Sequence, residues 1–147
     1  MATLEEADNF LVGVENLYTD LKDKYSSKTN ERVLSSHVWM IDYISNAINK
    51  KVTPLKDSLS MLRDQHVGDF KSSTQFDALL KFCDEINKIL NDINQLYKMR
   101  SNVVDIKLKF QYALPQIQDK LKHMRNRFNI IKSQLSKKQF ELEEDWP

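Results

Sequence analysis

Residues able to do chemistry are few in this sequence, and none of them stand at a usable spacing. The three histidines, His37, His66 and His123, lie far apart and share no metal-ligand spacing with the single cysteine, Cys83. They read as surface or seam-edge histidines rather than as ligands or bases. Cys83 falls on an apolar stripe between Leu79 and Ile86, where a small buried hydrophobe is expected. Nothing near it in sequence would lower its pKa, as a nucleophilic thiol requires. The paired acids Glu5-Glu6 and Glu143-Glu144 belong to a helix cap and a tail. There is no serine-centred elbow, Walker loop or zinc signature. The reading is therefore that the chain is not an enzyme: no catalytic, cofactor-binding or metal residues are assigned, and no cofactor is expected.

Composition points the same way. The 147 residues are 41% hydrophobic and 29% charged, as in a folded domain, yet include only two glycines and three prolines. Tight turns and phosphate-cradling loops consume glycine, so a few long elements with few connections are expected. A net charge of +1 gives no global pull toward nucleic acid or a membrane surface. One cysteine excludes an internal disulfide framework and suits a reducing compartment. The start, M-A-T-L-E-E-A-D, lacks the basic-then-apolar pattern of a secretory signal, and no apolar run approaches the roughly 20 residues of a membrane span. The expected location is cytoplasmic, including the cytosolic face of organelles.

The elements follow from periodicity. Thr3-Leu4-Glu5-Glu6 is a capping box, and Phe10, Val14, Leu17, Leu21 and Tyr25 form a stripe behind it, predicting helix one over 4–25. Ser26 to Asn30 breaks this helix and offers Asn30 as the next N-cap. Leu34, Val38, Ile41, Ile48, Val52, Leu55, Leu59 and Leu62 then step by threes and fours over 30–66, straight through Pro54, with Ser45 as the one polar interruption. Around Val38 to Ile44 the apolar surface widens, as it does on a helix with more than one neighbour. Val67-Gly68-Asp69 ends that helix, with Gly68 read as a left-handed cap.

From Ser73 or Thr74 one pattern of threes and fours continues to Leu135, with Leu90 offering an alternative phase near Ile89. It predicts a third helix over 73–142 with a kink or break at Pro115. The stripe crosses Pro115 from Ala113 to Ile117 on one face, with no turn-forming residues beside it, so the register favours a bend over a stop. A continuous helix would be a rod of roughly 100 Å, whose seam would need a partner chain. The fold class is all-α: a single helical domain of long amphipathic helices in an antiparallel coiled-coil or helical bundle, either extended or compact, followed by a short acidic tail over 143–147. The seam and partner-interface candidates are Trp39, Ile93, Leu96, Val103, Ile106, Phe110, Ile117, Leu121 and Phe128.

Charge is unevenly placed. Helix one carries Glu5, Glu6, Asp8, Glu15, Asp20 and Asp23; the late helix carries Lys120, Lys122, Arg125, Arg127, Lys132, Lys137 and Lys138. The plain reading is complementary packing between these segments. The sharper one is a basic surface for lipid headgroups or acidic tubulin tails. The tail F-E-L-E-E-D-W-P resembles tryptophan-acidic cargo peptides read by kinesin light chains, although those place acids after the tryptophan. Trp146 is its candidate docking residue; the alternative is a frayed helix end.

The segment E-I-N-K-I-L-N-D-I-N-Q-L-Y-K-M-R-S-N-V-V-D-I-K-L-K-F, residues 85–110, resembles the central helices of small coiled-coil subunits in the biogenesis of lysosome-related organelles complex and its relatives. That resemblance implies a non-enzymatic subunit or adaptor of a hetero-oligomeric complex in organelle or vesicle positioning, at the lysosome among other places. Its partners would be other helical protein subunits, with no specific nucleic acid and only peripheral membrane contact. Two alternatives stand beside it. One is a self-contained helical bundle acting as a binding module, similar to the regulatory bundles of membrane-fusion proteins; the other is a spindle or kinetochore coiled-coil subunit.

Overall fold

The computed structural model describes the backbone of residues 3–26, 31–99 and 103–144, and side chains over 3–23, 43, 45–69, 71–96, 98–99, 105–106 and 108–135. Among these residues the chain forms four α-helices and no strand: α1 (Leu4–Ser26), α2 (Glu31–Gln65), α3 (Phe70–Lys98) and α4 (Val103–Glu144). α1 begins as its capping box predicts, the Glu6 amide donating to the Thr3 hydroxyl at 3.1 Å. Its core positions are Ala7, Leu11, Val14, Tyr18 and Leu21, while Phe10 and Leu17 of the expected stripe are half-buried at its margin. The N-cap expected at Asn30 lies outside the described residues.

The expected third helix over 73–142 is corrected to two. α3 ends at Lys98 and α4 starts at Val103, so the chain reverses between them and not at Pro115. The sequence there, Ser101-Asn102, holds residues that compete for backbone hydrogen bonds and favour helix ends. Pro115 lies inside α4 and Pro54 inside α2. Each is flanked by fully or nearly buried residues, Ala113, Leu114 and Ile117 around one and Val52 and Leu55 around the other. Tertiary packing on both sides holds the helix where the missing amide would otherwise break it. Pro115 and Gln111 are themselves exposed, so the carbonyl that Pro115 cannot serve lies on the wetted side.

Cross-helix pairs give the directions. Asn49 meets Asn91, Lys56 meets Asp84 and Arg63 meets Asp77, so α2 and α3 are antiparallel. Lys120 meets Glu85 and Arg127 meets Gln75, so α3 and α4 are antiparallel too. Asp8 meets Arg125 and Tyr18 meets Leu114, which sets α4 against α1 in the same sense. The result is an up-down-up-down four-helix bundle, the arrangement short connections favour, rather than a rod.

The core is one cluster with a contribution from every helix, its largest fully buried side chains being Phe76, Phe110 and Phe128. α3 uses Leu79, Cys83, Ile86, Leu90 and Ile93, so the alternative phase through Leu90 is the one realised and Ile89 is half-buried. Ser45, the polar interruption in α2, is buried, and its hydroxyl, like that of Ser58, has no hydrogen-bond partner. Gly68 sits in the α2–α3 turn without the left-handed backbone expected of it. The turn is closed instead by the Asp69 amide donating to the His66 carbonyl at 2.9 Å, and by the Ser72 hydroxyl donating to the Asp69 carboxylate.

Candidate functional site: the seam between α1 and α4

The seam that closes the bundle joins the first helix to the last, and its geometry is polar. Asp8 and Glu15 stand seven residues apart on α1, and so share a face; Arg125 and Lys132 stand seven apart on α4. Antiparallel packing sets the two pairs against each other. The Arg125 guanidinium donates from Nη1 to Asp8 Oδ1 at 2.6 Å and from Nε to Glu15 Oε2 at 3.3 Å, with a second bond from Nη2 to Glu15. Lys132 Nζ donates to the other Asp8 oxygen at 2.9 Å.

These groups are about one-quarter exposed on Arg125 and Asp8, and more so on Lys132. Burial pushes the Asp8 carboxyl up, but the hydrogen bonds from Arg125 and Lys132 outweigh it and hold the group below its ordinary value. Glu15, and after it Asp8, stabilise the charged guanidinium. A single ion pair this exposed stabilises by about 0.2–1 kcal/mol; a guanidinium bridging two carboxylates lies toward the top of that range or above it.

Below this clasp Tyr18 crosses from α1. Its hydroxyl donates to the Leu114 carbonyl at 2.8 Å, with Gln118 Oε1 3.4 Å away. Burial raises the phenol pKa, so it stays a donor. Beside Tyr18 the helices part to leave a groove of about 340 Å³, lined by Glu15, Tyr18, Thr19, Lys22 and Asp23 on α1 and by Gln118, Leu121 and Lys122 on α4. Tyr18 was not on the stripe read from the sequence. The signal that would have found it is the stepping of Leu11, Val14, Tyr18 and Leu21 by three, four and three.

Among the described residues, four cations of the late helix turn their charge onto the chain's own neighbours. Lys120 pairs with Glu85 at 2.7 Å, Arg125 and Lys132 with α1, and Arg127 with Gln75 and the face of Phe82. His123 stacks on the same Phe82, and His66 stacks on Phe76. Of the sequence-derived interface candidates, Ile93, Ile106, Phe110, Ile117, Leu121 and Phe128 are buried in the bundle core, and Leu96 is half-buried against it. The side chains of Trp39 and Val103, and the whole of Trp146, lie outside the described residues. Cys83 is buried among them, and burial pushes its thiol up to about 12, the state of an inert side chain. Outside the core, Tyr43, Met99 and Tyr112 are each at least 70% exposed.

No family model matches the chain, and neither a curated protein nor a solved structure does. Among the described residues no helix is long and apolar enough to cross a membrane, and no three His, Cys, Asp or Glu residues are grouped to hold a metal ion.

Proposed function

We propose that this chain is a non-enzymatic protein-interaction module, a self-contained four-helix bundle that binds another helical protein. The observation carrying this reading is the seam of α4. The stripe of Ile106, Phe110, Ile117, Leu121, Met124, Phe128 and Ile131 is buried against the chain's own helices, while Leu108, Tyr112 and Ile130 stand off it in solvent, so the stripe does not need a partner to cover it. A rod-shaped subunit would present that seam outward. The test is light scattering with X-ray scattering on the isolated chain. A monomer is expected with a radius of gyration above, but near, the roughly 15 Å of a compact chain of this length. A value close to the roughly 30 Å of a 100 Å rod, or obligate oligomers, would reject the reading.

A second reading, a subunit or adaptor of a hetero-oligomer that positions organelles or vesicles, draws support from Tyr43, Met99 and Tyr112, large apolar side chains standing in solvent. Its setting rests on the resemblance over residues 85–110. Cross-linking and mass spectrometry of the chain in its native complex would separate the two. Links from α2 and α4 near these residues to several helical subunits favour the second reading; a single partner favours the first.

A further inference from the structure

We propose that the α1–α4 seam is where this bundle opens, and that an amphipathic helix of a partner protein enters there. Three seams, α1–α2, α2–α3 and α3–α4, join helices consecutive in the chain, and the α1–α4 seam closes the ring. It can part while each helix keeps its neighbour in the chain. Its polar ties are a charge clasp, Arg125 and Lys132 on Asp8 and Glu15, and one hydroxyl-to-carbonyl bond from Tyr18, laid over the shared apolar core. The clasp weakens with ionic strength, as the smaller ion pairs on the other seams do; what sets this seam apart is that no turn joins its two helices. A groove of about 340 Å³ lies between the two helices beside that clasp.

The walls of the seam set the chemistry of the entering helix. α4 presents Arg125 and Lys132, with Lys122 at the groove; α1 presents Asp8 and Glu15, with Asp23 and one cation, Lys22, at the groove, so acids outnumber cations on the α1 wall. A helix between them lays an apolar stripe over Tyr18 and Leu121. It turns carboxylates toward α4 and lysines or arginines toward α1. An anionic membrane would favour cations on both walls, and the acids of α1 oppose it. The partner half of this proposal rests on the interaction-module reading above; the opening half does not.

Hydrogen exchange on the full chain tests the opening. Arg125→Gln should speed exchange of α1 amides about fivefold, the change that losing a partly exposed clasp carries. Amides of 48–62 and 79–93 should keep their protection. No change, or an equal rise in all four helices, overturns the opening. Asp8→Asn repeats the test if Arg125→Gln loses helical circular dichroism. Docking is tested by NMR titration with a designed amphipathic peptide of about 18 residues, five helical turns, bearing glutamates on one flank and lysines on the other. Shifts should centre on Tyr18, Gln118 and Leu121, and a control with lysine on both flanks should bind at least about tenfold more weakly, as like-charge apposition costs affinity. Equal binding of the two peptides, or shifts elsewhere, overturns the docking site while leaving the opening and the monomer test to stand separately.

Discussion

Phe110→Ala tests whether the bundle is complete in one chain. Phe110 is fully exposed to the core and not at all to solvent, four residues after Ile106 and seven before Ile117, both also buried. Truncating a buried phenylalanine removes its transfer free energy and leaves a cavity that the surroundings fill only in part, costing about 3–5 kcal/mol. A domain of this size has about 5–15 kcal/mol in total, so the loss is roughly a fifth of it or more. At a urea slope near 2 kcal/mol per M, the unfolding midpoint should fall by about 2 M, with the slope unchanged. In a thermal melt the same loss is roughly 8–16 °C. Every atom touching Phe110 belongs to the same chain on this reading, so the midpoint should not move with protein concentration. Phe110→Leu, which keeps most of the apolar volume, should cost much less. A loss below about 1 kcal/mol, or a midpoint that rises with concentration, would refute the reasoning, because the seam would then be covered by another chain.

Four further outcomes follow from particular residues. Asp8 titrates below its ordinary value in the folded state, so its contribution is complete above the ordinary carboxyl range and is lost as pH falls below about 4; Asp8→Asn should flatten the acid limb of stability against pH, and an unaltered limb would contradict the clasp. The Cys83 thiol, buried and raised to about 12, should stay silent to a thiol reagent at pH 8 until urea unfolds the chain; rapid labelling of folded protein would contradict its placement. Pro115→Ala should stabilise by about 1–3 kcal/mol, since it restores an amide to an exposed helix position and outweighs the entropy it returns to the unfolded chain; destabilisation in a urea melt would mean that the bend itself is needed to seat Leu114 against Tyr18. A methyl group at Gly13 would meet only the Lys51 stem at 3.9 Å, so Gly13→Ala should add about 0.5–1 kcal/mol of helix stability, read in the same melt.

Much of this fold was legible because helical spacing is a strong signal. The ends of α1 and α2 fall within a residue of the positions that Thr3, Ser26 and His66 predict. Pro54 and Pro115 lie inside helices, and of the kink or break that the sequence leaves open at Pro115, the stripe that keeps its face through it points to the first. The reversal near residue 100 was missed for a related reason. Met99, Val103 and Ile106 step by four and three, so the apolar count runs on as though the helix did. Periodicity records which face a residue occupies, and a face is the same whether the helix runs up or down.

What periodicity omits is written in the flanking charges. Asp8 and Glu15 share one edge of α1, Arg125 and Lys132 one edge of α4, and their repeats match only if α1 and α4 are neighbours running oppositely. Lys56 with Asp84 and Arg63 with Asp77 fix α2 against α3 in the same way, and Lys120 with Glu85 fixes α3 against α4. Individually these pairs stabilise little, but the wrong topology would oppose acids to acids on α1 and leave the cations of α4 unmatched. Net charge near zero conceals this, because it sums over edges whose separation carries the information. The same separation leaves the α1–α4 edge with opposite charges on its two walls, so the feature that specifies the closed bundle also defines what an entering helix would have to match.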